Sequence, residues 1–300
     1  GMPSFQISFA SDSNIYRFIN RYFTLKIPRP ISLLLSGLLG FYVLTLVLGL
    51  SPWVCFVGSV AYAFSTYSIV LIEAGHNTKL MALSYLPMIM AGVILLFREK
   101  YWLGLIVTTL GLGLNLQSNH FQVTYYALII GVIYAIVELI YCIKSKRTGH
   151  FIKVCALVSL ASILALAPNI TKLWTTYEYS KETIRGGRSE LKSNEHKDNS
   201  GGLDKDYAQR WSYGKMETLT LMFADYAGGA SGGGLKKDSE TYKELTKIGA
   251  DPNQAKRFVN SVNTYWGAQP FTSGPVYFGV IICALFLLGC FILNGPIKIA

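Results

Sequence analysis

Long apolar runs alternate with short polar segments along most of this 300-residue chain. Seven of the runs are close to the ~20 residues that a helix needs to cross the apolar core of a bilayer. We therefore expect transmembrane helices at 31–50, 52–72, 80–97, 101–118, 121–143, 151–170 and 276–293. The pattern predicts an all-α polytopic membrane protein with about seven transmembrane helices.

The stretch before the first run has a different pattern. Residues 13–24 carry apolar side chains at i, i+3, i+4 spacing on one face, and Arg17, Asn20 and Arg21 on the other. This predicts an amphipathic helix that lies along the outer membrane surface with its polar face turned away from the bilayer. A helix packed on a soluble domain would have the same pattern and stays an alternative.

The polar segment 171–275 separates the last two apolar runs. We expect a helical extension at 171–185, a mobile loop up to residue 202, and a helix at 236–262 that is broken near Asp251. The glycines of 228–234 predict a flexible loop. The segment is interpreted as an extracytoplasmic lid built of helices and loops.

Basic residues orient the chain in the membrane. The short connections at 98–100 and 144–147 are rich in Lys and Arg, so the positive-inside rule places them in the cytoplasm. Lys26 and Arg29 would then lie outside with the arginines of the amphipathic helix, against that rule. The expected organisation is an outer loop at 1–30, transmembrane helices within 31–170, the lid at 171–275, a transmembrane helix at 276–294 and a truncated cytoplasmic end at 295–300.

Composition agrees with a membrane protein, since 51% of the residues are hydrophobic and only 15% are charged. The net charge is +10, but 15 of the 27 basic residues share segment 171–275 with 13 of the 17 acids. We therefore expect no nucleic-acid partner. The five cysteines have no CxxC spacing, which predicts neither a disulfide nor a zinc site. Both ends of the sequence look cut, so we expect an internal fragment.

Candidate chemistry concentrates at the helix ends predicted to lie outside. Polar groups near bilayer depth are costly unless they face a cavity or one another, so these ends predict a water-filled pocket. Its candidate substrate-binding residues are Ser4, Gln6, Asn77, Lys79, Asn119, His120 and Gln122.

Glu73 and His76 are the candidate catalytic residues of this pocket. They are three apart and share a face if their helix continues, which suits a proton-transfer pair or one divalent cation. Such a cation is a candidate cofactor, although no protein metal site is assigned. Alternatively, Glu73 pairs with Lys79, and His76 caps a helix end.

Two segments of the predicted lid, 211–218 and 265–275, combine glycine turns, aromatic rings and hydrogen-bonding groups. This mixture suits sugar recognition and equally suits anchoring at the membrane interface. Lys215 and Glu217 are candidate substrate-binding residues. Lys79 and Lys215 are expected to bind a phosphate group directly, whereas Arg17 and Arg21 anchor the surface helix to anionic lipid.

Five motifs together carry a resemblance to a known family. They are Gly1–Gln6, Glu73–Lys79, Asn119–Tyr126, Ser212–Thr218 and Tyr265–Pro275. With them the chain resembles the YfhO-type membrane proteins of Bacteroidetes, which are similar to polyprenyl-phosphate-dependent glycosyltransferases of the GT-C fold. The resemblance implies transfer of a sugar from a polyprenyl-phosphate carrier to an outer-leaflet acceptor at the bacterial inner membrane. The family's catalytic acid is expected after an additional, upstream transmembrane helix and is assigned to no residue of this chain.

Two other functions stay open. A transporter or flippase of a lipid-linked intermediate also needs an outer polar pocket, but its spans should be polar or broken at the membrane midplane. The middles of 31–50 and 121–143 are uniformly apolar, which disfavours it. A noncatalytic membrane assembly protein of the same fold is the second alternative.

Overall fold

A computed structural model describes residues 15–181 and 205–292, and within these residues the chain is helical without strands. The α-helices are α1 Ile15–Phe23, α2 Ile31–Val47, α3 Pro52–Ala63, α4 Thr66–Glu73, α5 Asn77–Phe97, α6 Tyr101–Gln117, α7 Phe121–Lys144, α8 Thr148–Leu166, α9 Ile170–Lys181, α10 Lys205–Gln209, α11 Glu240–Lys247, α12 Pro252–Ser261 and α13 Val280–Ile292. Two short 3₁₀-helices occupy Ala167–Asn169 and Glu217–Leu221. The predictions for Ser4, Gln6, the loop up to residue 202 and the end at 295–300 lie outside the described residues.

Four segments of the described chain are helical, long and apolar enough to cross a membrane: Pro52–Glu73, Asn77–Phe97, Phe121–Lys144 and Thr148–Lys181. The apolar helices α2 and α13 are shorter, with 17 and 13 residues. An all-α fold with four candidate membrane spans is therefore confirmed for the described residues, and the seven spans and the lid stay predictions.

The described residues divide into two compact units. Unit 1 contains 15–64 and 76–181, and unit 2 contains 65–75 and 205–292. The predicted second span is interrupted at this boundary, because α3 ends at Ala63 and α4 begins at Thr66. Ser65 has an extended backbone conformation and is the N-cap residue of α4.

Helix α5 is the centre of unit 1, since it is buried along most of its length and contacts α2, α6, α7 and α8. Pro87 inside it lacks an N–H and leaves the Leu83 carbonyl without its helical partner. The Tyr62 hydroxyl of α3 donates to that carbonyl at 2.8 Å. The fully buried Asn115 of α6 donates to the Ala82 carbonyl at 2.8 Å. Polar groups buried in the bundle thus join helices.

Helix α1 packs on the bundle through Tyr16 and Asn20. Tyr16 is 4% exposed, lies against Gly113 of α6 and donates to the Leu164 carbonyl of α8 at 3.2 Å. Asn20 accepts a hydrogen bond from the buried Tyr85 hydroxyl of α5. Asn20, which the sequence placed on the polar face of this helix, is therefore held against the bundle by Tyr85. The exposed apolar side chains of α1 include Phe18 and Tyr22.

Unit 2 agrees with one prediction made for the segment 171–275 and differs from another. The helix expected at 236–262 with a break near Asp251 is observed as α11 and α12, whose first turns are capped by the Ser239 and Asp251 side chains. The loop 228–234, expected to be flexible, makes specific backbone hydrogen bonds instead. Gly229 N–H donates to the Thr264 carbonyl and Ser231 N–H donates to the Thr272 carbonyl, both at 2.9 Å.

Candidate functional site

Unit 1 has two ends that differ in how their polar groups are used. At the first, which we call the turn end, Arg147 forms an ion pair with Glu99, and Arg98 donates to the Val47 carbonyl that ends α2. His150 there is hydrogen-bonded to the Phe97 carbonyl at 3.0 Å. The opposite end, the pocket end, contains the starts of α2, α5 and α7 and the end of α6. The cations named at the turn end have partners within unit 1.

The pocket end contains a cavity of about 480 Å³. This volume lies within the range of ligand sites, roughly 300–1,000 Å³. Its walls come from α1, the 24–29 connection and the starts of α2, α5 and α9, with the end of α6. A polar cavity is therefore present at the helix ends of unit 1, lined by residues other than those predicted from the sequence.

Five basic residues line this cavity, and none of the described lining residues is acidic. The basic residues are Arg17, Arg21, Lys26, Arg29 and Lys172. Lys172 is half-buried and donates to the Gln117 carbonyl at 2.8 Å. The Lys26 ammonium lies 4.7 Å from the centroid of the Tyr22 ring. Like charges around one cavity repel each other, so the arrangement favours an anion inside it.

The lining also supplies neutral hydrogen-bonding groups. Asn20, Ser32, Thr78, Gln117 and Ser118 contribute to it. Hydroxyl and amide groups can donate to phosphate or sugar oxygens and accept from sugar hydroxyls. The cavity can thus hold a charged group and neighbouring hydroxyls, but its described residues include no carboxylate that could act as a base.

The predicted site residues of unit 1 lie near this cavity without lining it. His120 caps the start of α7, and its Nε2 atom is buried without a hydrogen-bond partner. Burial lowers the pKa of His120, with further lowering by Lys79 and His76, whose positive charges act on it. His76 and Lys79 are therefore close enough to His120 to act on its charge, and the predicted binding roles of the three residues stay predictions.

The remaining predicted residues of unit 1 interact with the protein itself. Asn119 and Thr176 of α9 lie at hydrogen-bonding distance, 3.4 Å. Gln122 is exposed and donates to the Tyr126 hydroxyl one turn along α7, at 2.6 Å. Asn77 is the half-buried first residue of α5, beside the cavity residue Thr78.

Glu73 and His76 do not share a continuous helix, contrary to the premise of the proton-transfer pair. Helix α4 ends at Glu73, and α5 begins at Asn77. Gly75 between them has a positive φ of 73°, which is typical of the residue that ends a helix. His76 is the N-cap residue of α5 but makes no side-chain capping hydrogen bond. The i, i+3 argument therefore does not apply to this pair.

In unit 2, Glu217 is the centre of a hydrogen-bonded group that we call the Glu217 cluster, made of Gly214, Glu217, Tyr265 and Ala268. Glu217 is 6% exposed, and its Oε1 accepts from the Tyr265 hydroxyl at 2.5 Å. Its Oε2 accepts from the Gly214 and Ala268 N–H groups at 3.0 and 3.2 Å. Burial and the neighbouring Glu217 raise the pKa of Tyr265 to about 12. These contacts explain the burial of Glu217 without a ligand, and Lys215 lies in the turn beside it.

The aromatic segments expected to recognise a sugar pack on each other around this cluster. The Gln269 amide donates to the Trp211 carbonyl at 2.8 Å, and the Trp211 and Phe271 rings meet edge to face. Trp266 stays 71% exposed. Both earlier interpretations of these aromatics, sugar recognition and interface anchoring, stay predictions.

Sequence reasoning did not identify three of the five cavity cations as binding residues. Lys26 and Arg29 were noted only as exceptions to the positive-inside rule, and Lys172 was not singled out. Their concentration on the predicted outer side, against that rule, was the available signal for two of them. Within the described residues, no group of three or more His, Cys, Asp or Glu side chains is arranged to hold a metal ion.

Comparison with known proteins gives one match. A family described as "Bacterial membrane protein YfhO" matches residues 30–222, which is more than half of the chain. No curated protein matches the chain significantly, and no solved structure does so.

Proposed function

The chain belongs to the YfhO family of bacterial membrane proteins, and on that premise we propose that it is part of a GT-C-like glycosyltransferase. The enzyme transfers a sugar from a polyprenyl-phosphate carrier to an acceptor in the outer leaflet. The observation that carries the proposal is the polar, cation-lined cavity where the membrane helices end beneath the amphipathic helix α1. A lipid-linked phosphate reaches the protein at this depth, at the surface of the bilayer.

The reaction can be written with the groups that the donor supplies. An acceptor hydroxyl attacks the anomeric carbon, the bond from that carbon to the phosphate oxygen breaks, and polyprenyl phosphate leaves with the bonding electrons. The hydroxyl proton passes to a carboxylate base. Cations beside the phosphate stabilise the charge that develops on the leaving group. The base is assigned to no residue, and a divalent cation stays a candidate cofactor.

The proposal includes a location and an orientation. The protein is a multi-pass protein of the bacterial inner membrane, with the pocket end outside and the turn end in the cytoplasm. The basic turns at 98–100 and 144–147 support this orientation. Single cysteines at Thr78 and Ser145 test it in a variant without the five native cysteines, because both positions are exposed.

In intact spheroplasts, a thiol reagent that cannot cross the membrane should label Thr78→Cys and not Ser145→Cys. Permeabilisation should make Ser145→Cys reactive, which controls for its accessibility. Labelling of Ser145→Cys alone in intact spheroplasts would show the opposite orientation and overturn an outer-leaflet reaction.

Sugar transfer is tested directly with the protein in proteoliposomes made with lipids extracted from its own membrane as acceptors. A panel of polyprenyl-phosphate sugars labelled in the sugar is added, and the product lipids are separated. The labelled sugar of at least one donor should appear on an acceptor lipid, and polyprenyl phosphate should be released. If no donor reacts while the protein speeds the movement of a fluorescent polyprenyl phosphate between leaflets, the flippase interpretation replaces this one.

A further inference from the structure

We infer that the cavity at the pocket end is a binding site for the phosphate of an isoprenoid lipid, with Arg21 and Lys172 among its cations. This inference rests on the proposed function and specifies which part of the donor the site recognises. It also replaces the earlier assignment of phosphate binding to Lys79 and Lys215, because neither is among the cavity's lining residues.

The charges around the cavity are the first argument. Positively charged side chains come from three separate stretches of chain, α1, the 24–29 connection and α9. Arginine presents five N–H donors in a planar arrangement that matches phosphate oxygens. Lys172 uses one donor on the Gln117 carbonyl, and its ammonium group retains two more. An anion in the cavity would be surrounded by donors from several sides.

The wall formed by α1 is positioned before any ligand arrives. Tyr16 and Asn20 attach α1 to α8 and α5 through hydrogen bonds. The two arginines of α1 follow these residues by one position each, so the same contacts place both of them at the cavity. Binding therefore costs less ordering of this helix than binding by a free amphipathic helix would.

The surroundings favour a lipid phosphate over a soluble one. The exposed apolar side chains of α1 include Phe18 and Tyr22, which suit the boundary between headgroups and acyl chains. Ile27, Pro28 and Met81 add apolar surface to the cavity lining. A phosphate attached to an isoprenoid can place its charge among the cations while its chain stays in the bilayer. An inorganic phosphate ion would gain only the first of these contacts.

The cavity has a defined role in the reaction, because its described lining contains no acidic side chain. It can hold the leaving phosphate, but those residues offer no carboxylate to accept the proton of the acceptor. Among the described residues, a base would therefore have to come from outside this lining. Different residues would then bind the phosphate and accept the proton, so the two roles can be tested separately.

The test measures binding of farnesyl phosphate to the protein in nanodiscs of neutral phosphatidylcholine. Farnesol, which lacks the charge, and inorganic phosphate, which lacks the chain, are the comparison probes. Farnesyl phosphate should bind at least tenfold more tightly than either, a difference of about 1.4 kcal/mol. Equal binding of inorganic phosphate would assign the site to a soluble anion and overturn the lipid assignment.

Variants then locate the site. Arg21→Gln and Lys172→Gln should each weaken binding of farnesyl phosphate at least tenfold, and Arg21→Lys, which keeps the charge, should retain most of the affinity. The matched controls are Lys79→Gln near the cavity and Lys146→Gln at the turn end, which should change affinity less than twofold. Unchanged melting temperatures in the two cavity variants exclude loss of the fold as the cause.

The outcomes separate this inference from the proposed function. Loss of binding in the cavity variants, in a protein that transfers no sugar, would support the phosphate site and contradict the glycosyltransferase. Sugar transfer that continues with normal donor affinity in Arg21→Gln and Lys172→Gln would support the enzyme and overturn the phosphate site. An equal loss of farnesyl phosphate affinity in Lys146→Gln would show that general surface charge causes the effect, and it would also overturn the phosphate site.

Discussion

The cavity of unit 1 and the Glu217 cluster of unit 2 are both polar, yet they differ in the charges of the side chains that form them. In the cluster, each oxygen of the buried Glu217 carboxylate accepts at least one hydrogen bond from unit 2 itself. In the cavity, five basic residues gather without an acidic residue among the described lining. The first arrangement stabilises a fold, and the second favours a ligand of opposite charge. Polar clustering alone does not distinguish the two, whereas the partners of each charge do.

The largest expected effect comes from placing a negative charge among the cavity cations. Thr78→Glu places a carboxylate among the cavity cations, and the first turn of α5 tolerates a negative charge. Farnesyl phosphate should then bind roughly 100-fold more weakly, equivalent to about 2.8 kcal/mol, with unchanged or higher thermal stability.

Thr78→Gln is the matched control, because it has the same size without the charge. Titration of both variants in nanodiscs measures the difference. If Thr78→Glu binds as well as Thr78→Gln does, the cavity cations do not act on the ligand, and the contrast with the Glu217 cluster disappears.

A smaller effect is expected when the wall of the cavity is displaced. Any side chain at Gly113 collides with the Tyr16 ring, so Gly113→Val should move α1 off the bundle. Overpacking of this kind costs about 1–3 kcal/mol. The melting temperature should fall, and farnesyl phosphate affinity should fall about tenfold.

Gly131 of α7 has open space around it and provides the control Gly131→Val. Thermal unfolding followed by tryptophan fluorescence, with limited proteolysis of α1, compares the two proteins. Equal stability of both variants would mean that the contact between Tyr16 and Gly113 does not hold α1.

A substitution in the Glu217 cluster should lower the stability of the protein and leave its affinity for farnesyl phosphate unchanged. Tyr265→Phe removes the donor to Glu217 Oε1, and loss of one partner of a buried carboxylate costs about 1–3 kcal/mol. Affinity for farnesyl phosphate should stay within twofold of the unchanged protein. Tyr226→Phe, at an exposed tyrosine, is the control. A tenfold loss of affinity in Tyr265→Phe would show that the cluster takes part in binding.

The same tyrosine predicts a trend at high pH. Its pKa is raised to about 12 in the fold, against about 10 when unfolded, so the folded state retains the proton over this window. Because the unfolded chain loses the proton first, stability should fall as the pH rises from 10 towards 12. In thermal melts at pH 9 and 11.5, Tyr265→Phe should show a smaller fall than the unchanged protein.

The smallest effect is expected at the turn end. Arg147 and Glu99 form an ion pair whose side chains are 46% and 51% exposed, and such solvent-screened pairs contribute little to stability. Glu99→Gln should therefore lower the melting temperature by no more than a few degrees and leave farnesyl phosphate binding unchanged. A change in binding as large as that in Thr78→Glu would show that charge at either end affects the ligand.

The helices of unit 1 could be predicted from sequence because their apolar runs end at polar turns. The helix expected at 101–118 is observed at Tyr101–Gln117, and the helix expected at 121–143 at Phe121–Lys144. The break at Phe64 and Ser65 was missed, since the apolar pattern continues through it and only the extended backbone of Ser65 interrupts the helix. The hydrophobic pattern predicts where the helices lie, whereas a short break within a helix depends on the backbone conformation of one or two residues.

The cavity could be predicted only in part. The sequence placed Arg17 and Arg21 on the polar face of α1, but Lys172 joins them from a helix about 150 residues later in the chain. No local pattern contains that contact. Asn20 shows the same limit, because its polarity predicts exposure, and its partner is the Tyr85 hydroxyl inside the bundle.

Photocrosslinking can locate the phosphate of a bound isoprenoid lipid in the protein. An isoprenyl phosphate with a diazirine on the carbon next to the phosphate ester is bound to the protein in nanodiscs and irradiated, and the adducts are mapped by mass spectrometry. If the cavity holds the phosphate, adducts should lie within 15–32 and 170–181, and farnesyl phosphate should compete them away whereas farnesol should not. Adducts confined to the turns at 98–100 and 144–147, or to peptides of unit 2, would show that the phosphate binds elsewhere.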